Sequence, residues 1–461
     1  MVNLSKLIKL ILFMQLNILL GQRVVGYYPQ WVQSGFPVSD IDLSVVTHVN
    51  HSFAWPDESA NIESYANMFN LSNAQTVHEQ GGKFLLSLGG WGNNVGFETV
   101  AASPSLRTTF IDNLIDICDN YGYDGIDLDW EHPNSSDNRE NLNLLVAEMD
   151  SMFNEFNSEL LITMAVPISN WSGQWYDFSF LKSHVDFFNA MTYDMHGSWS
   201  SHAGHNSPLY QSPPGDPDGS CHTGVNYLTL TRGIPAHQIN LGLPFWGKEF
   251  NASNINGTFT GSVADLRYNE IPGMINNGWT YHWDSIAYCP YLINDEQTKV
   301  LVYDNPESIA YKCEYAMERE LGGVMIWALG YDVTSGGQEL IQSIGENYLH
   351  TEMEPKELNP SGFSLKAYPN PFNQSCKIVV NLSQNDFTTI NMYDILGKQV
   401  DQIANEALDA GEHVFYWNAF NQTSGIYFVK LYNSYATETQ KIFGRIECYG
   451  QPKNRVFRYK N

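Results

Sequence analysis

Three acidic residues alternate with apolar residues in the stretch 123–131. Read as a β-strand, this stretch places Asp127, Asp129 and Glu131 on one face, because successive side chains of a strand point to opposite faces. Neighbouring members of the trio lie about 6.5 Å apart along the backbone, so their carboxyl groups can exchange a proton. Since like charges this close resist ionising together, at least one pKa should rise towards that of a general acid. The spacing therefore predicts acid-base chemistry.

The segments on either side place this strand in a parallel sheet. Upstream, Ser103 and Pro104 are typical of a helix start, and an apolar helical repeat continues to Gly122. Downstream, residues 142–149 show the helical repeat again. Glu131 then falls at the carboxyl end of a strand in a βα unit. In (β/α)₈ barrels, that end of the strands carries the active site.

Eight apolar runs separated by helical segments predict the whole barrel. The runs are residues 23–31, 45–55, 83–91, 123–131, 160–167, 185–194, 239–246 and 322–330. Residues 248–299 are too many for one crossover, so we expect a small α+β insertion between the seventh and eighth strands. The fold class is thus an α/β TIM barrel with this insertion, followed by a small all-β sandwich.

The chain divides into five predicted segments. Residues 1–21 carry two lysines and then a short apolar run, the pattern of a signal peptide, and no stretch is long enough for a transmembrane span. The barrel follows at 22–349. A polar linker at 350–360 precedes short alternating runs and turn glycines, which predict the β-sandwich at 361–443. Residues 444–461 form a basic tail that stays unassigned.

Charge and cysteine usage exclude several function classes. A formal net charge of -26 disfavours nucleic acid and anionic membranes as partners, because their phosphates would be repelled. The six cysteines show no Cys-x-x-Cys spacing, their pairing stays open, and Cys118 is expected to be a buried thiol. His196, His202 and His205 show no ligand spacing, so structural or solvated roles are expected for them. We expect no metal, no cofactor and a monomeric protein.

Several motifs of the barrel resemble one known family. Residues 124–131 match the Asp-x-x-Asp-x-Asp-x-Glu signature of glycoside hydrolase family 18, the chitinases. Residues 87–91 (SLGGW) are similar to the third-strand motif of this family, and residues 191–194 (MTYD) to its sixth-strand motif. Trp327 resembles the tryptophan that floors the cleft. The resemblance spans residues 23–348 in the expected order.

The resemblance implies a role for each matched acid. Glu131 would protonate the glycosidic oxygen, and Asp129 would hydrogen-bond both Glu131 and the acetamido group of the substrate. Asp127 would shift the proton balance of Asp129, while Tyr193 would donate to the acetamido carbonyl and Asp194 would position the sugar. The nucleophile in this family is the N-acetyl oxygen of the substrate, and configuration is retained. The expected substrate is chitin or a chitooligosaccharide, cleaved at β-1,4 links without cofactor, with endo action favoured over exo.

Further residues are expected to bind the sugar chain. Aromatic planes at the carboxyl ends of barrel strands can stack on the apolar faces of pyranose rings, and the glycines after the third strand allow a ligand to approach closely. The expected binding residues are Tyr28, Phe53, Gly89, Gly90, Trp91, His132, Met191, Trp246 and Trp327. The seventh-strand motif departs from the family pattern, because Trp246 and Lys248 replace a tyrosine and an arginine. Lysine lacks the planar bidentate donor of arginine, so the contacts at that subsite are open.

The C-terminal part resembles a second known element. Residues 368–373 (YPNPFN), 391–398 (NMYDILGK) and 424–428 (SGIYF) are similar to the C-terminal sorting domain of the type IX secretion system. The resemblance implies that the chain is exported to the medium or the cell surface, with the secretion machinery as a partner. An alternative interpretation is a carbohydrate-binding module.

Four alternatives to a chitinase are considered at this point. Acids that alternate along a strand can simply form a solvated face, although covered parallel strands disfavour this. A chitin-binding lectin could use the same barrel, but such proteins usually lack the glutamate that stands at Glu131 here. An endo-β-N-acetylglucosaminidase acting on glycoproteins or peptidoglycan would keep the same acids. A calcium site at Asp127 and Asp129 is disfavoured, because the glycine and the spacing of a calcium loop are missing.

Overall fold

The computed structural model describes two compact units, divided between Thr351 and Glu352. The described residues are 22–349, 363–368, 372, 375–382, 385–394, 398–419, 422–423, 425–432 and 437–444. The predicted signal peptide, the linker and the tail beyond Gly444, with Cys448, lie outside these residues. Within the described part of the chain, no helix is long and apolar enough to cross a membrane.

The first unit contains a closed barrel of eight parallel strands, as predicted. Its strands are β1 (Arg23–Pro29), β2 (His48–Pro56), β4 (Lys83–Gly89), β5 (Gly125–Asp129), β6 (Leu161–Val166), β7 (Phe187–Ala190), β8 (Ile239–Pro244) and β14 (Gly323–Trp327). They pair in the order β1-β14-β8-β7-β6-β5-β4-β2, and a further pairing of β1 with β2 closes the ring. A short strand, β3 (Ile62–Ser64), extends the edge of β2.

Helices cover the outside of the barrel because their apolar faces need burial against the strands. The helices of the described residues are α1 (Leu71–Glu79), α2 (Phe97–Ala102), α3 (Pro104–Tyr121), α4 (Ser136–Phe156), α5 (Asn170–Gly173), α6 (Phe178–Leu181), α7 (Cys221–Asn226), α8 (Pro306–Glu318) and α9 (Glu339–Ile344). The longest, α4, buries Leu142, Leu145, Val146 and Met149. Cys118 on α3 is a free, buried thiol, as the sequence indicated.

The connection from α3 into β5 follows the sequence signals closely. Pro104 occupies the first turn of α3, and Gly122 ends the helix with a left-handed φ of 74°. The next residue but one, Asp124, accepts hydrogen bonds from the backbone N–H of Phe84 and from Lys83, each at 2.8 Å. This first acid of the motif therefore joins the start of β5 to β4 and does not face the barrel mouth.

The insertion between β8 and α8 is a five-stranded antiparallel sheet with short 3₁₀ turns. Its strands are β9 (Trp246–Asn251), β10 (Thr260–Arg267), β11 (Trp279–Asp284), β12 (Cys289–Asn294) and β13 (Val300–Val302). They pair in the order β10-β9-β13-β12-β11. Trp246 opens β9, whereas the sequence placed it at the end of the seventh barrel strand; β8 already ends at Pro244. A two-stranded ribbon, β15 (Val333–Thr334) and β16 (Gly337–Gln338), follows the barrel.

The second unit is an all-β sandwich, as predicted. Its strands are β17 (Phe363–Tyr368), β18 (Ser375–Leu382), β19 (Asp386–Asp394), β20 (Gln399–Leu408), β21 (Gly411–Asn418), β22 (Gly425–Tyr432) and β23 (Thr437–Gly444). One sheet has the order β17-β18-β21 and the other β20-β19-β22-β23. Buried residues of both sheets, such as Ile378, Trp417 and Val429, form one hydrophobic core.

Replacing Asp124 by asparagine should destabilise the barrel. Burial works against its charge, but hydrogen bonds from Lys83, Phe84 and His78 lower the pKa of Asp124 overall. A carboxyl with a lowered folded-state pKa stabilises the fold above its unfolded pKa of about 3.9, and that contribution disappears as the pH falls through the folded value. Asp124→Asn should cost about 1–3 kcal/mol at pH 7, read as a lower Tm.

The control for this substitution is Asp119→Asn, which changes an exposed acid on the preceding helix, α3. Its Tm should match that of the unchanged protein at every pH. The Tm difference caused by Asp124→Asn should shrink below pH 4. An equal Tm for the two variants at pH 7 would contradict a structural role of Asp124.

Candidate active site

The candidate site lies at the carboxyl end of β5, where the three acids become progressively more exposed. The side chain of Asp127 is fully buried, Asp129 is 5% exposed, and Glu131 is half-buried just beyond the strand. The alternation predicted from the sequence is therefore present, with β5 supplying the first two acids and the following loop the third. The trio runs from the interior of the barrel towards its mouth.

Asp127 is held by four hydrogen-bond donors. The hydroxyls of Tyr27 and Ser87 donate to its Oδ2 atom, each at 2.8 Å. The hydroxyl of Thr163 and the amide of Asn189 donate to its Oδ1 atom, at 2.6 Å and 3.1 Å. Burial raises the pKa of Asp127, and these four hydrogen bonds act against that rise. Four donors aimed at two oxygens suit an ionised carboxylate, which can only accept.

Asp129 stands in the opposite situation. Its Oδ1 atom is buried and has no hydrogen-bond partner among the described residues. Burial, with the nearby charges of Glu131 and Asp127, raises the pKa of Asp129 well above its ordinary value. A buried acid with a free oxygen can accept or donate a hydrogen bond to an incoming group at small cost.

Glu131 is fixed through its backbone while its carboxyl group stays at the mouth. The side-chain amide of Asn94 accepts from the N–H of Glu131 at 3.1 Å and donates to its C=O at 2.6 Å. Burial and the charge of Asp194 raise the pKa of Glu131 to about 7. A glutamic acid with this pKa keeps its proton near neutral pH and can give it to a leaving group.

Tyr193 and Asp194 lie on the loop after β7, next to the acids. The acids Asp129, Glu131 and Asp194 surround Tyr193, and burial together with their charges raises its pKa well above the ordinary value. Its hydroxyl therefore remains a neutral hydrogen-bond donor. Its ring packs edge-on against Trp246, with 4.9 Å between ring centroids.

Lys248 contacts the carboxylate of Asp194. The sequence had left open which contacts a lysine makes at this position. Its Nζ atom lies 2.8 Å from Asp194 and 2.8 Å from Asp265. Burial works against the charge of Lys248, but the two carboxylates raise its pKa overall. The lysine that replaces the family's arginine thus acts as a point charge between two acids, where a bidentate contact is unnecessary.

An aromatic cluster lines the barrel mouth beside the acids. It comprises Tyr27, Phe53 and Trp327, with Met191 and Tyr193 packed against it. The rings of Phe53 and Trp327 are stacked with centroids 5.6 Å apart, and Trp327 is half-buried, so Phe53 supports it from below. Phe53, Met191 and Trp327 were each predicted from the sequence to bind substrate, and they lie in this one cluster.

The glycines after β4 approach protein atoms closely. Both have left-handed φ values, 111° for Gly89 and 79° for Gly90. A Cβ on Gly89 would lie 2.2 Å from the backbone oxygen of Asp129, and one on Gly90 would lie 2.5 Å from the ring of Phe53. Gly89 therefore allows β4 to approach β5 at the site, and Gly90 leaves room for the ring of Phe53 on β2. The sequence interpretation had assigned this close approach to a ligand.

The remaining predicted binding residues differ in exposure. Trp91 is 76% exposed at the end of the β4 loop, so one face of its ring is free for a ligand. His132 packs edge-on against Trp171, with centroids 4.9 Å apart, and Trp171 is itself exposed. Trp246 is largely buried against Tyr193 and offers only a small surface.

Tyr28 was predicted to bind the sugar chain, and the structure shows that this prediction was wrong. It belongs to the core between the barrel and its covering segments, and its hydroxyl donates to the backbone oxygen of Phe36 at 2.7 Å. Tyr27, the residue before it, points inwards and donates to Asp127. Because adjacent residues of a strand face opposite sides, only one of the two tyrosines can reach the interior.

Sequence reasoning missed the residues that hold Asp127 and Glu131. Ser87, Thr163 and Asn189 are polar residues inside otherwise apolar parallel strands, and that exception was the signal that could have identified them. Asn94 lies in a loop and carried no such signal. The structure also gathers His196 and His202 with Asp216 and Asp218 in the loop after β7, although their spacing suggested no common site.

Several known proteins that are similar to this chain are named chitinases. Probable chitinase 2 of Drosophila melanogaster is 29% identical, over 72% of this chain and 77% of its own length. Probable endochitinase of Caenorhabditis elegans is 31% identical, again over 72% of this chain, which spans only 59% of that relative. The crystal structure of a chitinase from Cycas revoluta in complex with (GlcNAc)3 superposes with a TM-score of 0.63 at 26% identity, covering 70% of this chain and 99% of that one.

Two family profiles match successive parts of the sequence. The profile of a secretion system C-terminal sorting domain matches residues 366–445, so the second unit is a sorting domain of this kind. The profile of glycosyl hydrolases family 18 matches residues 23–332, which contain the closed barrel, the acids Asp127, Asp129 and Glu131, and the motif of Tyr193. The match covers more than half of the chain, and the protein therefore belongs to glycosyl hydrolases family 18.

Proposed function

We propose that the protein is a secreted, retaining chitinase that hydrolyses β-1,4-linked N-acetylglucosamine polymers. The observation that carries this proposal is the position of Glu131 at the mouth of the barrel, in line with Asp127 and Asp129, where burial and the charge of Asp194 raise its pKa to about 7. Support for the substrate comes from the relatives named chitinases and from the relative whose structure holds (GlcNAc)3. Endo action is favoured by the name of the Caenorhabditis elegans relative, and product analysis on soluble chitin would test it.

The first step breaks the glycosidic bond with help from the substrate. Glu131 gives its proton to the glycosidic oxygen, and the bond between that oxygen and C1 of the sugar breaks. The carbonyl oxygen of the 2-acetamido group forms a new bond to C1 from the opposite face, giving an oxazolinium ion. Family 18 is in this way an exception to the scheme with two catalytic carboxylates.

Asp129 and Tyr193 orient the acetamido group. The buried, unpartnered Oδ1 atom of Asp129 can accept a hydrogen bond from the acetamido N–H, which gains positive character as the ring forms. The hydroxyl of Tyr193, kept protonated by its acidic surroundings, donates to the acetamido carbonyl. Asp194, fixed by Lys248, positions the sugar and supplies part of the charge that holds the proton on Glu131.

The second step restores the enzyme. Glu131, now ionised, takes a proton from water, and the oxygen of that water attacks C1 on the face that the leaving group vacated. The bond between C1 and the acetamido oxygen breaks, so the product has the original configuration. Trp327 and the exposed Trp91 provide flat apolar surfaces on which the sugar rings stack during both steps.

Two segments of the chain support export of the enzyme. An N-terminal signal peptide at residues 1–21 would direct the chain across the inner membrane, and the sorting domain would then engage a type IX secretion system. The enzyme would reach the medium or the cell surface, where insoluble chitin is accessible.

Replacing Glu131 by glutamine should abolish hydrolysis and preserve binding. Glutamine has nearly the same shape but no transferable proton, and general acid catalysis contributes about 10²–10⁴-fold to such reactions. We expect kcat on a chromogenic chitooligosaccharide to fall by about that factor while the Kd for chitotetraose stays within a few fold. Glu140→Gln, at an exposed position on α4, is the matched control and should keep full activity.

Three outcomes would contradict this assignment. A Glu131→Gln protein that retains full activity would exclude Glu131 as the acid. An unchanged protein that binds chitotetraose without cleaving it would favour the lectin alternative. Preferential release of glycans from a high-mannose glycoprotein would instead favour an endo-β-N-acetylglucosaminidase.

The pH profile should report the proton on Glu131. Since the acid must be protonated, kcat/KM should fall as the pH rises through about 7. Asp194→Asn removes a charge that raises the pKa of Glu131, so the alkaline limb of the residual activity should move to lower pH. Asp265→Asn, which removes the other partner of Lys248, should leave the limb in place. An unshifted limb in Asp194→Asn would contradict the proposed coupling.

Deleting residues 351–461 should block release of the enzyme from a bacterium with a type IX system. The truncated barrel should remain in the cells and keep its activity on soluble chitooligosaccharides, because every proposed catalytic residue lies before residue 332. The measurement is activity in medium and in lysate, with the full chain as control. Continued release together with lost affinity for solid chitin would instead indicate a carbohydrate-binding module.

A further inference from the structure

Four metal-binding residue types meet in the loop between β7 and α7. They are His196, His202, Asp216 and Asp218, and one ligand atom from each lies within 4.8 Å of all the others. The Nε2 atom of His196 is 3.1 Å from Nε2 of His202 and 3.2 Å from Oδ2 of Asp216. The side chains of His196 and Asp216 are each only 1% exposed. The cluster is therefore largely shielded from water.

The position of the proton on His196 leaves a nitrogen lone pair that faces carboxylate oxygens. His196 must donate its Nδ1–H to the backbone carbonyl of His205, 2.8 Å away, because a carbonyl can only accept. With the proton on Nδ1, the neutral ring presents the lone pair of Nε2 to the carboxylates of Asp216 and Asp218, at 3.2 Å and 3.5 Å. A cation between these atoms would turn their repulsion into attraction.

Neighbouring groups orient each ligand atom towards the centre of the cluster. The Oδ1 atom of Asp216 accepts the backbone N–H of Asp218 at 3.0 Å, which leaves its Oδ2 atom for the cluster. The hydroxyl of Ser201 lies 3.2 Å from Nδ1 of His202, so that ring also presents Nε2 to the cluster. Such support of the second nitrogen of a histidine is characteristic of metal ligands. The Oδ2 atom of Asp218 is buried and has no hydrogen-bond partner among the described residues.

The spacing of the ligand atoms matches one metal in particular. Zinc binds nitrogen and carboxylate oxygen at about 2.0–2.2 Å in a tetrahedron, whose edges are then about 3.3 Å long. Four of the six distances between the ligand atoms are 3.0 Å, 3.1 Å, 3.2 Å and 3.5 Å, and all six are within 4.8 Å. Calcium and magnesium prefer six or more oxygen ligands, so two imidazoles with two carboxylates favour zinc.

We propose that His196, His202, Asp216 and Asp218 form a structural zinc site. All four positions of the tetrahedron come from the protein, which is the arrangement of structural sites and leaves no open position for substrate. The first ligand stands two residues after Asp194, and the last stands three residues before α7. The bound zinc ion joins the two ends of this loop and holds in place the segment that carries Tyr193 and Asp194. The proposal does not depend on which sugar polymer the enzyme cleaves.

Zinc binding can be measured directly on the full chain. After a chelator has removed bound metal, the protein is dialysed against micromolar zinc chloride and its zinc content is determined by mass spectrometry. We expect one zinc ion per chain that equimolar calcium chloride does not displace, and a higher Tm for the zinc-loaded protein than for the stripped protein. Both effects are measured without any substitution, so they hold even if a variant folds poorly.

Substitutions then assign the ion to the cluster. His202→Gln and Asp218→Asn change the two ligands that are partly exposed, 17% and 26%, so that the fold can tolerate them. Each should weaken zinc binding at least about 10-fold, the smallest loss expected when even an outer partner of a metal is removed. His237→Gln, at an exposed histidine elsewhere, is the control and should bind zinc normally.

The proposal is overturned by any of three results. The stripped protein retains no zinc at micromolar concentration, calcium replaces zinc at equal concentration, or both ligand variants bind zinc as tightly as the control. The first of these results would show that protons alone bridge the two histidines and the two aspartates.

Discussion

The candidate site depends on one buried carboxylate. Asp127 has no exposed surface, and it is satisfied by donors from four other barrel strands: Tyr27 on β1, Ser87 on β4, Thr163 on β6 and Asn189 on β7. A buried charge is costly unless hydrogen bonds surround it, so the barrel must close in the correct register for Asp127 to be tolerated. The same closure places Asp129 and Glu131 one and two steps closer to the mouth. The hydrogen bonds that require the barrel to close therefore also position the acids of the candidate site.

This constraint gives the three acids different surroundings along β5 and the loop that follows it. Asp127 is surrounded by donors, whereas Asp129 has a buried oxygen without a partner and two acidic neighbours. The charge on the inner acid discourages ionisation of Asp129, while burial and Asp194 hold the proton on Glu131. Lys248, which is itself buried, limits the repulsion by pairing with the carboxylate of Asp194. The outermost acid can therefore be protonated when a substrate arrives, and the inner acids can accept the charge that develops afterwards.

Local sequence patterns predicted the barrel and its acids. They could not show which side of a strand a side chain occupies, or which residues far away in the sequence it contacts. The eight apolar runs and the signature ending at Glu131 are contiguous in sequence, and the structure has the barrel they predict. Tyr27 and Tyr28 look equivalent in sequence, yet a shift of one residue exchanges the two faces of a strand, and the wrong tyrosine was placed at the site. The donors to Asp127 come from four separated strands, and His196 meets Asp216 through an irregular loop without periodicity. Such contacts arise only when the chain is folded.

The most direct test of the account is a titration of the carboxyl group of Glu131 itself. In protein labelled with ¹³C at the glutamate carboxyl carbons, NMR spectra recorded between pH 4 and pH 9 follow every glutamate, and the Glu131→Gln protein identifies the signal that belongs to this residue. The account predicts one carboxyl that titrates near pH 7 and is missing from the variant. If every glutamate signal, including that of Glu131, titrates near the ordinary value of 4.5, the barrel does not hold a proton at its mouth and the central claim is wrong.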